Sequence, residues 1–177
     1  MSWRCGGRTR RSAEGVVAPP WSLVDDPAVV LVDLSADARE PDVLALLAHA
    51  VGHPTADKLA ALADRYAVDA AWRLWGERGA DGRVSGLVGF TVDGGTAVIR
   101  HIAVAPGERG RGLGRRLVEA LFELEPCAVL TAETDAEAVG FYRRCGFEVA
   151  SLGDQRYPGV ERFHCAGATA PRQTRRT

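Results

Sequence analysis

One segment constrains this chain more than any other: Ile102-Ala103-Val104-Ala105-Pro106-Gly107-Glu108-Arg109-Gly110-Arg111-Gly112-Leu113-Gly114-Arg115-Arg116-Leu117. A β-branched, apolar run ends at Pro106, which cannot donate to a strand ladder. Glycines then fall at alternate positions 110, 112 and 114, and Leu113, Leu117, Val118, Leu121 and Phe122 recur at helical spacing. A strand therefore passes through a turn of bare backbone into the start of a helix. Bare backbone lets N–H groups approach a ligand closely, and a helix start offers unpaired donors and a dipole that favours anions. Arg109, Arg111, Arg115 and Arg116 flank the turn. The pattern reads as a cradle for pyrophosphate with cationic support. Two nucleotide motifs fit it poorly. The Lys-Ser/Thr of a P-loop is missing, and the glycine spacing is G-x-G-x-G rather than the dinucleotide G-x-G-x-x-G.

The rest of the chain alternates around this segment. Val29 to Leu34 reads as a strand. Val43, Leu44, Leu47, Ala50 and Val51 follow at helical spacing, stopped by Gly52. Thr55 is placed to cap a second helix with the stripe Leu59, Leu62, Ala63 and Tyr66. Strands are predicted over 70–75, 84–92 and 97–105, with a turn at Asp81-Gly82 and a hairpin at Asp93-Gly94-Gly95. After the central helix, Pro126 is a stop and Cys127 to Ala132 a buried strand. Thr134-Asp135-Ala136-Glu137 has the form of a capping box, opening a helix that Gly146 closes. Phe147 to Ser151 and Val160 to Cys165 are the last strands. The expected fold is α+β: a mixed sheet of six or seven strands with four helices. The expected organisation is one domain over 28–165, with loose tails at 1–27 and 166–177.

A second motif stands downstream: Ala138-Val139-Gly140-Phe141-Tyr142-Arg143-Arg144-Cys145-Gly146-Phe147. With it, the turn resembles motif A of the GNAT N-acetyltransferases, [Q/R]-x-x-G-x-[G/A] after a strand ending in Val-x-Pro. Arg109, Gly112 and Gly114 stand at those places, with Val104 and Pro106 upstream. The element order is similar to that family from about Val29 to Cys165.

The resemblance implies a mostly antiparallel sheet splayed between its fourth and fifth strands, with acetyl-coenzyme A as co-substrate and no metal. It implies that the pantetheine arm pairs with the Ile102-Ala103-Val104 backbone. It places pyrophosphate on the turn of Arg109, Gly110, Arg111, Gly112, Leu113, Gly114 and Arg115. It gives Tyr142 the role of general acid toward the leaving thiolate, and an N–H near Val104 that of an oxyanion donor. The residues leave the base open. Glu133 at the end of the facing strand is the first candidate, His101 the second. A base is needed because a lysine-like amine is mostly protonated at pH 7, a penalty of about 4.6 kcal/mol. Asp135 departs from the family, where Asn contacts the pantetheine arm; an ionised Asp accepts but does not donate.

Composition narrows the partners. The formal net charge of −1 gives no steering field for nucleic acid or an anionic membrane. Cys5, Cys127, Cys145 and Cys165 form no C-x-x-C pair and read as free thiols in a reducing cytoplasm. The expected partners are acetyl-coenzyme A and an amine of unread identity, with a homodimer left open. A non-catalytic acyl-coenzyme A binding domain on the same fold is the alternative; Tyr142 and the complete turn argue against it.

Overall fold

The structure, a computed structural model, describes residues 30–124, 129–154 and 158–168. The expected tail at 1–27, Pro126, Cys127 and the chain beyond Ala168 lie outside the described residues. The chain order is β1 (Val32–Asp33), α1 (Pro41–Leu47), α2 (Ala56–Val68), β2 (Trp72–Arg78), β3 (Val84–Asp93) and β4 (Thr96–Val104), then a 3-10 turn at Pro106–Glu108. It continues with α3 (Leu113–Leu124), β5 (Val129–Asp135), α4 (Val139–Arg144), β6 (Glu148–Gly153) and β7 (Arg162–Ala168).

The strands form one seven-stranded sheet in the order β1-β2-β3-β4-β5-β7-β6. Each neighbouring pair is antiparallel except β4 with β5, which is parallel. Local chemistry accounts for most boundaries. Gly94 and Gly95 sit at φ 53° and 80°, the left-handed pair that closes a tight hairpin between β3 and β4. The Thr55 hydroxyl accepts from the Lys58 N–H and caps α2.

Each sheet face carries its own apolar cluster. One face packs Leu74, Leu87 and Ala103 under Val43, Leu46 and Leu47 of α1 and Ala63 and Tyr66 of α2. The other packs Phe90, Ala97, Ile99, Leu130 and Ala132 under Val118 and Leu121 of α3 and Val139 and Tyr142 of α4.

Four expectations are corrected. Of the described part of the first strand, Val30 to Leu34, only Val32–Asp33 is strand, although the Leu34 N–H still bonds the Leu74 carbonyl at 2.8 Å. The second strand starts at Trp72 and runs to Arg78. The last strand continues past Cys165 to Ala168, paired with Val129, so no tail begins at 166. Thr134 is not a cap: it is buried within β5, opposite Phe163 of β7. The Asp135 carboxylate does the local work instead, its Oδ1 accepting from the N–H groups of Glu137 and Ala138 at 3.1 Å each.

Candidate active site

The site arises where β4 leaves its two neighbours' pattern. Between β3 and β4 the register jumps from Gly89↔His101 to Phe90↔Ile99, so Arg100 is an extra, bulged residue. The bulge resets the alternation of faces. Ala97 and Ile99 pack toward α3 and α4, and so does Ile102, three residues further on. His101 and Ala103 turn to the α1 and α2 side.

On its other edge β4 pairs with β5 only from Thr96↔Val129 to Ile99↔Ala132. Beyond that, among the described residues the strand that Glu133 to Asp135 pair with is β7, and β4 and β5 part. The Ala105 N–H bonds the Ser85 carbonyl at 2.8 Å. By antiparallel alternation, Ala103 and His101 also bond β3, and Ile102 and Val104 direct their backbone groups into the gap. The Val104 carbonyl is taken there by Arg109 Nε at 3.1 Å. Its N–H points into the same gap by that alternation.

The turn after β4 explains its glycines. Gly110 and Gly112 stand at φ 77° and 78°, where a side chain costs about 1–2 kcal/mol. Gly114 serves close approach: a Cβ there would lie 3.1 Å from Phe141 Cε2 and 3.6 Å from Val104 Cγ2. Helix α3 thus begins hard against α4 and the end of β4. Among the described residues no backbone carbonyl accepts the N–H groups of Gly110, Arg111, Gly112, Leu113, Gly114 or Arg115. These are the open donors of a helix start. The arginines brace the turn. Arg111 meets Glu108 at 3.2 Å, Arg115 meets Glu119 at 3.5 Å, and Arg116 Nη1 donates to the Arg111 carbonyl at 2.8 Å.

A cleft of about 620 Å³ runs through the gap. His49 to Gly52 wall it on the α1–α2 side, Arg100 to Val104 and Glu133 to Asp135 at the parted strands, and Gly114, Phe141 and Tyr142 on the α3–α4 side. It brings together Ile102, Ala103, Val104, Gly114, Glu133, Asp135 and Tyr142 of the residues expected at the site. Arg109, Gly110, Arg111, Gly112, Leu113 and Arg115 belong to the adjoining turn rather than the cleft wall.

Tyr142 is 5% exposed, edge-on to Phe141 and Phe147 at centroid distances of 5.1 and 5.4 Å. Burial, followed by the neighbouring Cys165 and Cys145 thiols, pushes its phenol well above the ordinary tyrosine range, so it keeps its proton at any working pH. Leu130 and Ala132 face α3 and α4, so Glu133 falls on the opposite face by alternation and is exposed there. Acid candidate and base candidate therefore stand on opposite faces of the sheet with the gap between them. Asp135 has Oδ1 committed to the α4 start, and Arg162 Nη1 lies 4.0 Å from Oδ2.

Sequence reasoning missed one constellation. His101 Nδ1 lies 2.7 Å from the Tyr66 hydroxyl, with Trp72 edge-on to Tyr66 at 5.5 Å. Burial first, and the Arg100 charge second, lower the imidazole to about 4. Burial raises Tyr66 far above its ordinary value. Tyr66 was legible as a helix-stripe residue, but no sequence signal joins it to His101, because that contact depends on the bulge. Among the described residues no three His, Cys, Asp or Glu side chains converge as a metal site. No described helix is long and apolar enough to cross a membrane.

Residues 71–149, from the start of β2 to the start of β6, match the acetyltransferase (GNAT) domain. Over that stretch the chain is similar to the GNAT acetyltransferases. Streptothricin acetyltransferase of Streptomyces lavendulae is 35% identical over 100 residues, 52% of this chain and 53% of that one. The chain spans about half, or less, of the length of the curated relatives it matches. The GNAT fold is shared with the ribosomal-protein-S18-alanine N-acetyltransferase of Escherichia coli, at a TM-score of 0.65 and 21% identity, covering 84% of this chain and 98% of that one. Nourseothricin acetyltransferase superposes at a TM-score of 0.51 with 25% identity, over 58% of this chain and 68% of that one.

Proposed function

We propose that the chain is an N-acetyltransferase that moves an acetyl group from acetyl-coenzyme A directly to an amine. The observation that carries this is the parting of β4 and β5 beside a glycine turn whose helix-start N–H groups have no carbonyl partner among the described residues. That pairing of an open strand edge with an anion cradle suits a long ligand with an extended amide arm and a pyrophosphate. The residues fit it: a Cβ at 114 would crowd Phe141, and Gly110 and Gly112 keep the turn in the left-handed region.

Bound acetyl-coenzyme A supplies an activated thioester. The chain's own groups do the rest. The Gly110 to Arg115 N–H groups would hold phosphate oxygens, and Ile102 and Val104 would bond the pantetheine amides. The Val104 N–H would stabilise charge developing on the acetyl oxygen. Tyr142, protonated and facing the gap from the α4 side, holds the proton that a departing thiolate needs. Glu133, on the opposite face, is the acceptor-side carboxylate and takes the amine proton directly or through water. The acceptor enters past His49 to Gly52. Asp135 orders the start of α4 first, and its second oxygen is what remains for the pantetheine arm. The catalytic unit is one domain that takes in the described elements from β1 to β7. The buried free thiols of Cys145 and Cys165 support a reducing cytoplasm.

The test is thiol release from acetyl-coenzyme A across a panel of small amines, peptides and amine-bearing antibiotics. Amine-dependent release supports the reading. Binding of acetyl-coenzyme A with no release for any acceptor class would replace it with a non-catalytic acyl-coenzyme A sensor.

A further inference from the structure

The Tyr66 and His101 pair has a determined proton arrangement. Tyr66 is 1% exposed, and among the described residues its hydroxyl meets one polar partner, His101 Nδ1, at 2.7 Å. A buried phenol that finds no acceptor is costly. If Nδ1 carried the imidazole hydrogen, the phenol hydrogen would have nowhere to go. The Tyr66 O–H therefore donates to Nδ1, and the imidazole hydrogen resides on Nε2.

The surroundings hold this arrangement from three elements. Tyr66 comes from α2, His101 from β4, and Gly89 of β3 leaves the space between them. A Cβ at position 89 would collide with the Tyr66 hydroxyl oxygen. Trp72 packs against both rings, at 5.5 Å from Tyr66 and 6.5 Å from His101, and carries the Arg65 and Arg100 guanidiniums over its own ring at 4.1 and 5.7 Å. Burial and the neighbouring guanidinium keep the imidazole neutral. The Nδ1 edge of His101 is turned to α2 while the residue lines the cleft. The edge left for the cleft is the one bearing Nε2–H.

We propose that His101 is a fixed hydrogen-bond donor that selects the acceptor: it binds an oxygen carried next to the reacting amine, and Tyr66 is the residue that positions it. The inference rests on the acetyl-transfer reading of the same cleft. An imidazole whose Nε2 already carries hydrogen takes no proton there, so His101 leaves the base role to Glu133 or water. Both stand on the same sheet face. An amine set against the Glu133 carboxylate and an ether, hydroxyl or carbonyl oxygen set against Nε2–H would satisfy both walls. A purely hydrocarbon amine would bury the donor unpaired. The favoured acceptors are therefore amines bearing an oxygen close to nitrogen, such as amino alcohols, amino sugars and peptide N-termini, over plain alkylamines.

Two readouts test this on the full chain. Ring-nitrogen NMR of the nitrogen-15-labelled protein at pH 7 reads the tautomer: one histidine should show hydrogen on Nε2 and a bare Nδ1, and Tyr66→Phe should turn that pattern into a tautomer mixture. An Nδ1–H pattern, or no response to Tyr66→Phe, overturns the inference. Thiol release then compares 2-methoxyethylamine with butylamine, two amines of nearly equal shape. The wild-type preference in kcat/KM for the ether should fall about fivefold, the scale of one hydrogen bond, in the Tyr66→Phe/His101→Phe double variant. Replacing both partners by apolar rings leaves neither buried group unpaired. An unchanged ratio overturns the inference. If no amine releases thiol, the acetyl-transfer reading fails on its own. His101 is then decided by the Nε2 proton resonance, which must move with 2-methoxyethylamine and not with butylamine.

Discussion

Acidification should weaken this fold through His101, by an amount its surroundings set. The unfolded imidazole takes a proton near pH 6.5, the folded one near 4. Between these values the unfolded chain holds a proton that the native chain lacks, so stability falls as pH falls. The full effect is the span of about 2.5 pH units at 1.36 kcal/mol each, about 3.4 kcal/mol. By pH 4.5 about 2.5 kcal/mol of it is gone, and above pH 7 all of it is present. Carboxylates and the other histidines titrate over part of the same range, so the assay is a difference. Urea unfolding free energies are measured at pH 7.0 and 4.5 for the wild type and for Tyr66→Phe/His101→Phe. The substitutions remove the titrating ring while His49, His53, His164 and every acid stay in both chains and cancel. The wild type should lose about 2.5 kcal/mol more than the variant on acidification. Parallel losses would refute the reasoning, because they would mean that His101 titrates alike in the folded and unfolded chains.

Three further outcomes follow from the same geometry. Gly112→Asp puts a carboxylate at a φ of 78° in the anion cradle, and should weaken acetyl-coenzyme A binding at least tenfold, about 1.4 kcal/mol; unchanged affinity by calorimetry would remove the turn from the site. Tyr142→Phe should lower kcat by about a hundredfold or more while acetyl-coenzyme A affinity holds; an unaltered kcat would leave this ring as packing against Phe141 and Phe147. Gly89→Ala drives a Cβ into the Tyr66 ring and breaks its bond to His101, and should cost about 2–4 kcal/mol in chemical unfolding; full wild-type stability would show that Tyr66 does not fill the space over Gly89.

What could be read from sequence was local. Gly94 and Gly95 announce their hairpin because only a left-handed pair closes it. The α3 stripe of Leu113, Leu117, Val118 and Leu121 announces a buried face. The alternate glycines of the turn announce bare backbone, and the structure separates their reasons: conformation at 110 and 112, close approach to Phe141 at 114. What could not be read was decided by pairing. Thr134 has the spacing of a cap, but β7 draws it into β5 and buries it, leaving Asp135 to start α4. The bulge at Arg100 has no signature in a run of β-branched residues, yet it sets which face His101 takes. The sequence offered Glu133 as a base candidate at a strand end but not the face it takes. Its face follows from the burial of Leu130 and Ala132 on the other side.

The most direct test of the central claim is calorimetric titration of acetyl-coenzyme A into the purified chain. The parted strands and the glycine cradle predict one-to-one binding in the micromolar range, lost in Gly112→Asp. Absence of binding in the wild type would contradict the assignment of the gap and the turn, and with it the proposed transfer.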